Sequence, residues 1–177
     1  PRILMDQAPA TLNPRLALDA AGQRIDALLF SALTRLGPAL EVLPDLARSW
    51  KADPSLTRWS FEIDSSRLDH QGEPITAQRL VECFDHYLHA PPRALAIQAL
   101  NEWTSLKASG NTLEFTLKKP DPHFARNVTL LRYFRQGTDL CMEPRPGELL
   151  VGSGAFRAAP FVLSPTTELG IERRKAD

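Results

Sequence analysis

Residues Val42 to Leu88 read VLPDLARSWKADPSLTRWSFEIDSSRLDHQGEPITAQRLVECFDHYL. Within this stretch Trp59, Phe61 and Ile63 alternate with Arg58, Ser60 and Glu62. That period of two predicts a half-buried strand over Thr57 to Ile63. Asp69 to Pro74, with Gly72 inside it, predicts a turn. Thr76 is placed to cap a helix whose Ala77, Leu80, Val81, Phe84, Tyr87 and Leu88 fall at helical spacing. Upstream, Pro44 to Trp50 reads as a single helical turn, with proline at the first position and Leu46 and Trp50 on one face.

The chain on either side supplies partners for this strand and helix. Ile3 to Met5 reads as a short strand and Gln7 to Pro14 as an irregular loop. Asp19 is expected to cap a helix reaching Leu36, with Ile25, Leu28, Leu29, Ala32, Leu33 and Leu36 as its stripe and Gly37-Pro38 as its stop. Downstream, Pro91-Pro92 forces a break before a helix over Arg93 to Glu102. Thr104–Ala108 and Thr112–Leu117 read as a hairpin turning at Ser109-Gly110-Asn111. Asp121-Pro122 is expected to open a helix carrying Phe124, Val128 and Leu131, Arg135 to Leu149 is expected to be loop, and Phe156–Val162 and Thr167–Arg173 are expected to be strands. The fold class is therefore α+β, a mixed α/β chain. Trp59, Phe61, Ile63, Leu80, Phe84, Phe115 and Leu117 are expected in one buried sheet-and-helix layer.

Composition excludes several classes. Hydrophobic residues make up 43% and charged residues 24% of the chain, ordinary values for a globular protein. Lys plus Arg equals Asp plus Glu at 21 each, which argues against nucleic acid as a partner, since that binding rests on a basic face. No apolar run approaches the about 18 residues needed to span a bilayer, so no direct membrane insertion is expected. Pro1-Arg2 leads almost directly into a strand-like run, so a secretory signal, if the protein is exported, stands outside these residues. The two cysteines fit no zinc spacing. Cys83, beside Phe84 on the expected helix, reads as a buried thiol; in an oxidising compartment a Cys83–Cys141 bridge is the alternative.

Several short phrases occur in an order that resembles one family. Pro44-Asp45-Leu46-Ala47-Arg48-Ser49-Trp50 is followed by Trp59-Ser60-Phe61-Glu62-Ile63 and then by His70-Gln71-Gly72-Glu73-Pro74-Ile75-Thr76-Ala77. Thr11-Leu12-Asn13-Pro14 precedes them, and Val151-Gly152-Ser153-Gly154-Ala155-Phe156 and Leu169-Gly170-Ile171-Glu172-Arg173 follow. This order is similar to the opening of the family 5, peptide- and nickel-type, solute-binding proteins of ABC transporters. Two departures stand out: Ile63-Asp64-Ser65-Ser66-Arg67-Leu68-Asp69 lacks the glycine, valine and aromatic of the family's turn, and Ala155 replaces a proline.

The resemblance implies the first lobe of a periplasmic-binding-protein type II-like fold. Residues 1–36 plus 150–177 would form the first-lobe sheet segment, residues 37–149 an inserted subdomain, and the second lobe would lie beyond this chain. It implies a binding protein and not an enzyme, with a peptide-like ligand, an ABC transporter permease as partner, no cofactor and no metal, located in the periplasm or on the cell surface as a lipoprotein. It also implies two ligand-facing segments: Thr11, Leu12 and Asn13 after the first strand, and Gly152, Ser153 and Gly154. Glycines there let backbone approach a ligand closely. Two rival readings remain. One is the sensor domain of a transcriptional regulator, for which the chain shows no basic helix-turn-helix. The other is a hydrolase using Ser153, for which G-x-S-x-G is absent and nothing marks a general base. Cys83, Asp85 and His86 do not match a metal-ligand pattern.

Overall fold

The computed structural model of the chain describes residues 9–91, 94, 97, 100, 102–145, 148–158 and 171–173. The expected strand at Ile3–Met5 lies outside them, as does most of the expected helix at 93–102.

The alternation around Trp59 becomes β4 (Arg58–Ile63), with Trp59, Phe61 and Ile63 buried. It is a central strand of a four-stranded antiparallel sheet. Its neighbours are β3 (Ala47–Ala52) on one side and β6 (Thr112–Leu117) on the other, with β5 (Trp103–Ser109) beyond β6. The register sets Trp59 opposite Phe115 and Phe61 opposite Leu113. The β5–β6 hairpin turns at Gly110, whose φ of +57° suits glycine. Over this sheet lies α2 (Ala77–His89), capped where expected: the Thr76 hydroxyl accepts the Arg79 N–H at 3.2 Å. Its buried face carries Leu80, Cys83, Phe84 and Tyr87. All seven residues expected in the shared layer are buried.

The stretch Pro44–Trp50 is not helical. It divides between β2 (Val42–Pro44), paired with β1 (Thr34–Leu36), and β3. The reason is competition for the backbone. The N–H groups of Leu46 and Ala47 are taken by the carbonyls of Ala32 and Leu33, each at 2.9 Å. Trp50, the residue that suggested a helical face, sits opposite Phe61 across the strand pair.

The first helix is shorter than its apolar stripe. It is α1 (Ala20–Leu29), capped by the Asp19 carboxylate on the Gly22 N–H at 2.8 Å. Phe30 then turns extended, and Thr34–Leu36, expected as helix, forms β1. The expected helix after Asp121 is also short: α3 (Phe124–Asn127) followed by a 3-10 turn, Val128–Leu130. The expected loop after Arg135 contains a small hairpin, β7 (Arg135–Gln136) and β8 (Asp139–Leu140). β9 (Phe156–Ala158) and β10 (Ile171–Arg173) pair antiparallel. One hydrophobic core runs from Ile25 and Leu29 on α1 through the sheet to Leu140.

Cys83 is not a free thiol. It is bonded to Cys141, 58 residues later, with Cα atoms 4.9 Å apart. The helical register brings Cys83 to the buried face that receives the chain after β8, at a separation a disulfide spans. Such a bridge contributes about 2–4 kcal/mol.

Candidate functional site

The Thr11–Asn13 segment leads into α1 and is organised by Asn13, which is 4% exposed. The Thr11 hydroxyl accepts the Asn13 N–H, and the Asn13 side-chain oxygen accepts the Arg15 N–H, both at 3.0 Å. The Asn13 carbonyl accepts the N–H groups of Leu16 and Ala17. Its side-chain amide donates to Glu143 Oε2 at 2.7 Å, tying the segment to the chain beyond β8. Leu12 is half-buried against the core.

The Gly152–Gly154 segment lies on the C-terminal end of α1. Helix ends leave carbonyls without intrahelical partners. Here the Gly154 N–H donates to the Leu29 carbonyl at 2.9 Å. A Cβ on Gly152 would stand 2.1 Å from the Leu29 carbonyl oxygen, and one on Gly154 2.3 Å from that of Leu28. The glycines are therefore required for contact between this segment and the helix. Ser153 is 1% exposed. Its Oγ accepts the Ser31 N–H at 3.3 Å, and its carbonyl accepts the Ser31 hydroxyl at 3.1 Å. The Gly152 carbonyl accepts the His70 N–H at 2.9 Å, and His70 Nε2 lies 3.0 Å from the Gly154 carbonyl. A serine nucleophile needs an accessible hydroxyl beside a base. Among the described residues Ser153 has neither, and His70 is turned to backbone.

Two polar ties hold the surroundings. The Asp45 carboxylate accepts the Ala32 N–H at 2.9 Å and Arg67 at 3.0 Å, and Arg67 also donates to the Ser31 hydroxyl at 2.9 Å. Asp69 and Arg135 form a buried pair at 2.5 Å, 1% and 6% exposed. Asp69 also accepts the N–H groups of Gln71 and Glu73, while Arg135 donates to Gln71 and to the Gly137 carbonyl. Burial pushes the Asp69 carboxyl up; the Arg135 hydrogen bond and the two N–H donors outweigh it and hold the group below the usual carboxylate range. Beside this pair an open cleft of about 500 Å³ runs between the turn, α2 and the β7–β8 hairpin, lined by Gln71, Glu73, Arg79, Glu82 and Thr138 among others.

Of the groups weighed for a metal, Cys83 is in the disulfide, His86 Nδ1 is 2.5 Å from the Leu140 carbonyl, and Asp85 lies 3.0 Å from His89. Among the described residues no cluster of three or more His, Cys, Asp or Glu is placed to hold a metal.

No family model matches the chain. The probable D,D-dipeptide-binding periplasmic protein DdpA of Escherichia coli (strain K12) is 27% identical over 124 residues, 63% of this chain and 22% of that protein. The PBP AgaA of A. tumefaciens R10, solved with agropinic acid, matches 93% of this chain with a TM-score of 0.76 at 16% identity. DppA of Helicobacter pylori, solved with peptide STSA, matches 95% with a TM-score of 0.74 at 16% identity. The chain has the fold of part of a family 5 solute-binding protein. It spans 34% of the AgaA chain and 38% of the DppA chain.

The phrases that carry the family likeness act here as ties within the fold. Asp45 of the P-D-L-A phrase fastens Ala32 to Arg67, His70 receives the glycine segment, and Gly152 and Gly154 admit the helix end. The Asp69–Arg135 pair and the Arg67 tie were not foreseen, because their partners are 66 and 22 residues apart in sequence and carry no periodic signal.

Proposed function

We propose that this chain is part of the ligand-binding component of an ABC-type importer, and that its ligand is peptide-like. The observation that carries this reading is the family 5 fold, shared over 93% of the chain with AgaA. The names of DdpA and of the DppA complex, a dipeptide and a tetrapeptide, favour the peptide class. The ligand would lie in a cleft between this part and the remainder of the protein, held in extended form by backbone hydrogen bonds. Thr11, Leu12, Asn13, Gly152, Ser153 and Gly154 would stand along that wall, with the side chains of Asn13 and Ser153 turned inward and much of the Gly152–Gly154 backbone bonded within the fold. Both segments are fastened to the same body, which favours a preorganised rim.

The partner would be the permease of the importer, and closure of the cleft would be the shape it reads. The division of the chain into 1–36 plus 150–177 and an inserted 37–149 belongs to the same proposal. It is supported by the β9–β10 pair beside α1. Export to the periplasm or cell surface is supported by the Cys83–Cys141 bridge, a bond that persists in oxidising compartments.

The test is calorimetric titration of di- to pentapeptides into the intact protein and into residues 1–177. Saturable binding by the intact protein is expected, with residues 1–177 much weaker, because small-ligand sites commonly bury about 70–90% of the ligand and one wall covers less. An intact protein that binds no peptide in the set overturns the peptide-like assignment.

A further inference from the structure

The chain after Arg135 returns on itself and is laced mainly to itself. The buried Gln136 side chain donates to the carbonyls of Arg145 and Glu148, at 3.0 and 3.1 Å, and accepts the Arg145 N–H at 2.6 Å. Arg145 pairs with Asp139 and Glu148, but all three are about half exposed, where ion pairs contribute little. The covalent tie from this strap to the body is the Cys83–Cys141 bond to α2; beside it stand the contact of His86 with the Leu140 carbonyl, the Cys141 N–H on the Phe134 carbonyl at 3.0 Å and the buried Leu140 side chain. Cys141 sits at φ +51°, a backbone conformation that side chains beyond glycine rarely adopt. The strap in turn holds Asn13 through Glu143. At its root the grip is different: Arg135 is clamped by Asp69 and pairs in both directions with Val151, at 2.9 and 2.8 Å.

We propose that the Cys83–Cys141 bond is a redox-sensitive clasp. A dithiol reductant breaks the S–S bond with two electrons, leaving two protonated thiols and emerging as its own cyclic disulfide. The strap from Gln136 to Arg145 then leaves α2 and frees Asn13. The Arg135–Val151 pair, the Gly152–Gly154 segment and the four-stranded sheet stay in place. Reduction would thus loosen one ligand-facing segment and spare the other, a consequence for ligand that rests on the proposed function; the release itself does not.

The test is amide hydrogen exchange on ligand-free residues 1–177, oxidised and after reduction by dithiothreitol to two titratable thiols, with the Cys83→Ala, Cys141→Ala double variant in parallel. The Cys141 and Arg145 amides are expected to exchange about thirty-fold faster or more on loss of the bond, and that of Arg15, which rests on Asn13, to follow them. Those of Val151, Phe61 and Phe115, which open with the fold and not with the strap, are expected to rise less than the strap amides. An equal rise at all sites would make the bond a general staple, and no rise at Cys141 would mean that other contacts hold the strap. Either result overturns the clasp. Peptide titration reads separately, so failure of the functional reading leaves this result standing.

Discussion

Around Phe115 the rings of Phe61, Trp103 and Phe124 close with centroids 5.7, 5.4 and 5.1 Å away. Around Arg135, in a region equally buried, the contacts are a carboxylate, a side-chain amide and carbonyls. Both regions exclude water, but by different physics. In the aromatic layer each ring adds area and edge-to-face contact, and the loss of one leaves the others bonded as before. In the polar region every group depends on a named partner, and the loss of one leaves a buried charge or donor with none. The aromatic layer should therefore yield in proportion to volume removed, and the polar one in proportion to what is left unpaired.

The largest effect is expected in the aromatic layer. Phe84 is fully buried on α2, stacked on Phe115 at 6.5 Å and edge-on to Tyr87 at 6.1 Å. Phe84→Ala should destabilise the chain by about 3–5 kcal/mol in denaturant melts. A melt indistinguishable from the parent would break the contrast at its apolar end. In the polar region, Arg135→Leu should cost about 3 kcal/mol, because Asp69 remains buried and charged. Adding Asp69→Leu to it should recover a good part of that loss, as replacing a whole ion pair by apolar groups commonly does. Equal stability of the single and double variants would show that Asp69 is not the cost.

The same division explains what could be read from the sequence. Trp59, Phe61 and Ile63 announce β4 because alternation is local, and Leu80, Phe84 and Tyr87 announce α2 for the same reason. Ala32, Leu33 and Leu36 have helical spacing too, yet helix α1 stops at Leu29. Its continuation was overruled by distant backbone: Gly154 on the Leu29 carbonyl, and Val42–Pro44 paired with Thr34–Leu36. Pro44–Trp50 was misread for the same reason. Of the candidate site, the glycines of Gly152–Gly154 were legible as positions of close backbone approach. What they approach is the end of α1, which no local pattern discloses. The Cys83–Cys141 pairing was one of two open readings, since spacing alone does not choose between a thiol and a bridge.

A smaller effect tests that junction directly. Gly152→Ala puts a methyl carbon 2.1 Å from the Leu29 carbonyl oxygen, so helix end or segment must shift. Overpacking of this kind costs about 1–3 kcal/mol. Hydrogen exchange should quicken at the Gly154 amide, which donates to that carbonyl, and not at Phe115. A neutral substitution would mean that the two backbones separate easily and that the glycines serve another purpose.

The smallest predicted effect concerns Asp26, on the buried face of α1 and 0% exposed. Neither of its carboxylate oxygens has a hydrogen-bond partner among the described residues. Burial raises its pKa from the ordinary 3.8 to about 7; the Arg132 charge opposes the rise and the Asp19 charge adds to it. Tyr87, buried against the same group, keeps its hydroxyl protonated, with its own pKa pushed up by burial and by Asp26. A carboxyl whose pKa is higher folded than unfolded favours the fold when it carries its proton. That contribution is complete below 3.8, declines as pH rises toward 7, and is gone above it. Most of the decline precedes pH 6, so the part between pH 6 and 8 is about 1 kcal/mol, the last unit of the shift. Asp26→Asn cannot titrate, so its stability should lack this slope whatever its absolute value. The measurement is ΔG of unfolding of both chains at pH 6, 7 and 8. Parallel curves would place an ionised Asp26 in the fold, with Arg132 as its effective partner, and would make this interior site a second charged tie like Asp69–Arg135.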